Sequence, residues 1–179
     1  MTGIIHEGEH PFEEPEERRD PIRRFRGRLA EPVCVVTAGI DDDRAGLTVG
    51  SLVVSEGEPA RVHLLVGPLS DFYEVLGRSG RFVVHVLDAS RTDLAELFAG
   101  RRPGPGGPFA SVAFEDSPWG PVLTEVANRA YCSYYEGTEQ GWSVLVTGDV
   151  DRVELADLDD PLVHFRGRYR RLLGDADRR

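Results

Sequence analysis

The chain runs to 179 residues with 40% hydrophobic content, a size that supports one domain with a sizeable core. Its net charge of −10 excludes general affinity for nucleic acid or an anionic membrane. All 21 basic residues are arginine, which excludes both a Schiff-base lysine and the G-x-x-x-x-G-K-[ST] phosphate loop.

Residues 1–19 are charged and proline-punctuated, and read as a flexible N-terminal arm. The Met1 end is acidic and polar rather than a signal peptide, and no apolar run approaches a membrane span, so the cytoplasm is the expected location. Within the arm, His6 to His10 spell HEGEH, a match to the H-E-x-x-H zinc pattern. That chemistry needs a rigid helix, which Gly8 and Pro11 oppose, so no metal is expected. Asp20 and Pro21 start a short helix with Ile22, Phe25 and Leu29 at helical spacing. PVCVVTAGI then reads as a strand ending in the polar turn Asp41–Arg44, and residues 45–67 give two more strands, split by Glu56-Gly57-Glu58-Pro59. Ser70 caps a helix over DFYEVLGRSG that stops at Gly77 or Gly80, and RFVVHVLDA is a further strand. Ser90 with Asp93 resembles a capping box for RTDLAELFAG. Gly104-Pro105-Gly106-Gly107 is a proline-broken loop, not a G-x-G-x-x-G fingerprint. Past that loop, SVAFED, RAYCSYYEG, GWSVLVTGDVDRVEL and DPLVHFRGRYRRLL supply the remaining strands, before a short tail at 174–179. Many short strands with few helices and no regular βα alternation predict a mainly β domain over 20–173, a barrel or sandwich with helical decoration.

The chemistry-bearing side chains are sparse. Cys34 and Cys132 both sit in apolar, strand-like runs and read as buried free thiols. His63, His85 and His164 also lie in such runs, where a histidine is most often a hydrogen-bonded core or lining residue; His164 is the best side-chain candidate for catalysis. Arg166, Arg168 and Arg170 alternate with Phe165 and Tyr169, the pattern of a charge-protected edge strand, with a local anion contact as the alternative. No G-x-S-x-G nucleophile occurs. The near-repeat DPIRRFRGRL and DPLVHFRGRY, at 20–29 and 160–169, has only two distant copies and reads as coincidence.

The most informative stretch is Gly46-Leu47-Thr48-Val49-Gly50-Ser51, where glycines and hydroxyls interrupt an otherwise apolar strand. Glycine weakens a strand and marks either a bulge or a close approach by a ligand or another backbone, and the residues alone leave both open.

The ordered set FRGRLAEPVCVVTA, AGLTVGSLVVSEGEPARVHLLV, SDFYEVLGRSGRFVVHVLDASRTDLAELFAG, GGPFASVAFEDSPWGPVLTEVANRAYCSYYEG and DPLVHFRGRYRRL resembles the flavin reductase family with the FMN-binding split-barrel fold. The resemblance covers roughly residues 22–172. It implies a homodimeric split β-barrel that binds FMN, or FAD or another flavin, near the subunit interface. It also implies reduction of that flavin by NAD(P)H and, in many members, supply of reduced flavin to a partner monooxygenase. By position Thr48, Val49, Gly50, Ser51 and Leu52 would face the ring and ribityl chain, with Ser70 at a helix N-terminus for the phosphate. The chain departs from the family in two places: Ser70-Asp71-Phe72 stands where Ser-Arg-Thr is usual, and Gly50 where a serine is usual. Those departures favour the alternative of a non-catalytic split barrel that holds flavin, haem or another planar cofactor.

Overall fold

The computed structural model describes residues 20–102 and 104–172. The expected arm, with its HEGEH stretch, and the tail at 174–179 lie outside the described residues. Helix α1 (Pro21–Arg26) starts as its sequence predicts, with the Asp20 carboxylate accepting from the N–H groups of Ile22 and Arg23 at 2.7 and 3.4 Å, but it ends before Leu29. None of its residues is buried, and Ile22 and Phe25 are 74% and 63% exposed.

Twelve strands follow, interrupted by two helices. They are β1 (Glu31–Pro32), β2 (Cys34–Ile40), β3 (Asp43–Val49), β4 (Val53–Ser55) and β5 (Arg61–Val66). Next come helix α2 (Asp71–Ser79), β6 (Arg81–Val86) and helix α3 (Thr92–Phe98). The remainder are β7 (Phe114–Glu115), β8 (Val122–Leu123), β9 (Arg129–Gln140), β10 (Ser143–Glu154), β11 (Leu162–Phe165) and β12 (Arg168–Arg171). The fold is mainly β with few helices, as expected.

Seven strands form one sheet in the order β3-β2-β6-β9-β10-β5-β4. Its two edge strands, β3 and β4, are consecutive in the chain, so residues 50–52 pass from one edge of the sheet to the other. Cys34, Val36, Ala45 and Val49 from one side share a single buried cluster with Val62, Leu64, Val66 and Val144 from the other. A sheet whose opposite ends bury their side chains against each other is curled into a barrel. Phe72 and Leu76 of α2 enter the same cluster, and burying each such side chain contributes roughly 1.5–3 kcal/mol. Arg78 ties α2 to the β2–β3 turn through Asp43 at 2.7 and 3.0 Å. A second cluster, with Val35, Leu87, Phe98, Leu123 and Leu162, seats α3 and the small sheet β1-β11-β12 against the outside of the barrel.

Four details differ from the sequence reading. The run after Ala45 is two strands rather than one, because the chain changes partner at Gly50–Leu52. The Ser90–Asp93 capping box does not form: the Asp88 carboxylate accepts from the Ser90 N–H at 2.8 Å, Ser90 lies in a 3-10 turn, and α3 begins at Thr92 with no side-chain cap. Arg166 leaves the alternating row, since Arg166 and Gly167 form the β11–β12 turn with φ of 52° and 77°. Strand β3 starts inside the expected Asp41–Arg44 turn, at Asp43.

Candidate functional site

Strand β3 stays paired with β2 up to Val49 opposite Cys34, and β4 begins pairing with β5 at Val53 opposite His63. Gly50, Ser51 and Leu52 lie between, half-buried, and among the described residues they make no backbone–backbone hydrogen bond. Peptide groups without a protein partner are left to bond water or a ligand. Ser51 explains how the barrel tolerates it. Its hydroxyl accepts from the Leu65 N–H at 2.9 Å and donates to the Leu65 carbonyl at 3.1 Å. The side chain thereby takes both ladder positions opposite Leu65, and the main chain of Ser51 is released.

The neighbouring predicted residues serve the scaffold. The Thr48 hydroxyl donates to the Ala95 carbonyl at 2.7 Å, fastening β3 to α3, and Val49 is buried in the barrel core. Gly46 answers to packing, since a Cβ there would stand 2.5 Å from the Phe98 ring. Of the five predicted contact residues, then, Thr48 and Val49 hold the segment while Gly50, Ser51 and Leu52 offer unspent backbone.

Glu31 was not singled out from the sequence, yet it lies against the same segment. A Cβ on Gly50 would stand 2.6 Å from Glu31 Oε2 and 3.1 Å from Glu31 Cβ. Glu31 pairs in register with His164 across β1 and β11. The His164 ring packs edge-on to Tyr169, with centroids 5.7 Å apart. Burial pushes the Tyr169 phenol up to about 12, helped by the negative charge of Glu96 on α3. Burial lowers the His164 pKa, partly opposed by the charge of Glu31, so the ring is neutral at pH 7. His164 Nε2 is buried and has no hydrogen-bond partner among the described residues. Crossover, Glu31 and His164 thus form one patch with several unsatisfied polar groups. No local sequence signal marks Glu31, because only the tertiary fold brings it over Gly50.

The other two strand histidines are structural. His63 lies between the hydroxyls of Ser55 and Thr147, 3.1 Å from each. His85 is fully buried; it bonds the Val35 carbonyl through Nδ1 at 3.1 Å and accepts from the Leu123 N–H through Nε2 at 3.0 Å. Burial drives its pKa down to about 3. Cys34 and Cys132 are free and buried, and burial pushes both thiols up to about 12, which makes them poor nucleophiles.

The second predicted corner, Ser70, caps α2. Its hydroxyl accepts from the Tyr73 N–H at 3.3 Å and donates to the Gly67 carbonyl at 2.8 Å. Asp71 follows in the first turn, where a carboxylate suits the helix dipole but repels a phosphate. Neither Arg78 nor Arg81 is free to compensate: Arg78 is bound to Asp43 and Glu74, and the Arg81 guanidinium lies over the Trp119 ring, 5.6 Å from its centroid. This corner does not fit a phosphate dianion well. A surface hollow of about 330 Å³ between α3 and Ser111–Val112 contains none of the predicted residues.

Residues 26–173 match the family described as "Flavin reductase like domain". The chain is 34% identical over 154 residues to the NADH-dependent FMN reductase AsuE2 of Streptomyces nodosus subsp. asukaensis, covering 84% of this chain and 83% of that protein. It is 29% identical over 155 residues to the reductase component of the 4-hydroxyphenylacetate 3-monooxygenase of Thermus thermophilus, covering 87% and 97%. The NADH:FAD oxidoreductase SgcE6 of Streptomyces globisporus C-1027, solved with NAD and FAD fragments, superposes with a TM-score of 0.78 at 25% identity, covering 87% of this chain and 93% of that one.

Proposed function

The chain belongs to the flavin reductase-like family, and on that premise we propose that it reduces a flavin with NADH or NADPH and hands it to a partner monooxygenase. The observation that carries this reading is the released backbone at Gly50, Ser51 and Leu52. A flavin ring presents N1, O2, N3, O4 and N5 along one edge of a flat apolar body, and consecutive peptide N–H and C=O groups can hold such an edge. When bound, the flavin supplies the hydride-accepting ring, and the protein supplies position and electrostatics. Thr48 and Ser51 keep the crossover rigid by bonding to α3 and β5, so its peptide dipoles are aimed before any ligand arrives. Neutral His164 stands next to the crossover through Glu31 and brings no positive charge of its own.

Ser70 and Asp71 contribute little hold on a phosphate, so ring contacts dominate and FMN, FAD and riboflavin compete more evenly than in a phosphate-clamping site. Weak hold suits a flavin that is taken up, reduced and released. The monooxygenase partner is inferred from the role of the Thermus relative as a reductase component. A homodimer is inferred from the apolar surface beside the crossover, where Val53 and Val54 are each 61% exposed and Leu65 is 43% exposed. The functional domain is taken as 20–173, between an arm and a short tail. A cytoplasmic location goes with this reading, since both cysteines are free thiols and no described helix is long and apolar enough to cross a membrane.

The test is NADH and NADPH oxidation by the purified protein with FMN, FAD and riboflavin in turn. Flavin-dependent oxidation is expected, and no stimulation by any flavin would overturn the reading. The unfavourable Ser70–Asp71 corner supports one rival, a split barrel that holds a planar cofactor without turnover. Flavin binding with no nicotinamide consumption would establish that rival instead.

A further inference from the structure

Among the described residues, Glu31 is the acidic side chain that stands against Gly50 in the released crossover. A carboxylate needs donors, and among the described residues Glu31 has neither a hydrogen-bond nor an ion-pair partner. It is half-buried, so part of its hydration is already lost. Its cross-strand neighbour His164 leaves Nε2 buried and unpartnered, and Gly50–Leu52 leave their peptide groups unpaired. Three sets of polar atoms without a protein partner therefore lie on neighbouring residues. We infer that Glu31 is a specificity-determining residue that accepts hydrogen bonds from adjacent hydroxyls of the bound ligand.

An ionised carboxylate is acceptor-only and presents two oxygens, the complement of a vicinal diol. Like charge disfavours a phosphate beside Glu31, which has no ion-pair partner among the described residues. The ring edge engages the peptide groups, which leaves the hydroxyl-bearing substituent for Glu31. In a flavin reductase that chemistry has two sources, the ribityl chain of the flavin and the ribose of the nicotinamide nucleotide. Gly50 is part of the same device: any side chain there would meet the Glu31 carboxylate and push it away. This inference rests on the flavin reading above, and its test separates the two.

Wild type, Glu31→Ala and Glu31→Gln are titrated with riboflavin and with lumiflavin, which has the ring without the hydroxyl chain, by flavin fluorescence quenching. NADH binding is followed by its own fluorescence, and circular dichroism checks folding. Tighter binding of riboflavin than of lumiflavin is expected in the wild type. Glu31→Ala should weaken riboflavin about tenfold and leave lumiflavin within twofold, with Glu31→Gln intermediate because it keeps one acceptor. A tenfold loss confined to NADH would support the same hydroxyl chemistry and assign it to the ribose. Equal weakening of both flavins, or no change in any ligand, would overturn the role of Glu31. Wild type that binds both flavins equally well, with NADH binding unchanged in Glu31→Ala, would also overturn it while leaving the flavin reading intact. Wild type that binds neither flavin would overturn both.

Discussion

The two corners of the candidate site, Gly50–Leu52 and Ser70–Phe72, are built around the same kind of residue and end in opposite states. At Ser51 the hydroxyl satisfies the peptide of another strand, Leu65, and so frees its own main chain. At Ser70 the hydroxyl satisfies the first turn of its own helix and a local carbonyl. The first corner has small neighbours and unspent peptides; the second has Asp71, with Arg78 and Arg81 engaged elsewhere. A hydroxyl-rich segment is thus no site in itself. What matters is which backbone groups the hydroxyl leaves over.

The comparison holds only where the scaffold under both corners is intact, and His85 is one of the groups that bear on that range. Its pKa is about 3 in the fold, against about 6.5 in an unfolded chain, so below pH 6.5 the unfolded state binds the extra proton. The stability that His85 contributes is whole above about pH 6.5 and drains away as pH falls toward 3, by up to about 1.4 kcal/mol per pH unit. Urea midpoints measured from pH 7.5 to 4.5 should fall for the wild type, with one proton's slope removed in His85→Gln. An unchanged slope in that variant would mean that other groups govern acid sensitivity.

The next largest effect is expected at the open corner. Gly50→Val puts a branched side chain where the Glu31 carboxylate lies and where a flat ring must approach. Flavin affinity should drop by about a hundredfold, with a stability cost of about 1–3 kcal/mol from overpacking. Flavin titration and a urea melt read the two separately. Full affinity in the variant would mean that Gly50 makes room for Glu31 alone and that no ligand comes near.

A smaller change is expected at the other corner. Asp71→Asn removes a like charge from the helix start, which Arg78 and Arg81 do not offset, and should tighten FMN roughly fivefold while leaving riboflavin unchanged. Equal gains for both flavins, by fluorescence quenching at low and high salt, would show that Asp71 acts on the ring or the fold rather than on a phosphate.

How much of this was legible beforehand depends on whether the signal was local. The starts of α1 and α2 were, because Asp20-Pro21 and Ser70 are capping residues whose effect is confined to one turn. The crossover was half legible: small residues flagged Thr48–Leu52, but nothing in the apolar pattern said that the strand would change partners there. The Ser90 cap failed because Asp88 offers a competing acceptor two residues earlier and draws the chain into a 3-10 turn. The plainest limit is the pair DPIRRFRGRL and DPLVHFRGRY. The first becomes helix α1, with Gly27 at φ −63°, and the second becomes a hairpin, with Gly167 at φ +77°. Pairing of Leu162–Phe165 with Arg168–Arg171, and of β1 with His164, decides the second, and no local sequence carries that information. Glu31 was invisible for the same reason.

The most direct measurement is amide hydrogen exchange by NMR, with and without saturating FMN, at two sets of residues. Gly50, Ser51 and Leu52 are expected to exchange quickly in the free protein and to become protected when flavin is added, while Asp71 and Phe72 change little. Protection at Asp71 and Phe72 with none at Gly50–Leu52 would place the ligand on the wrong corner and contradict a ring held by the crossover backbone.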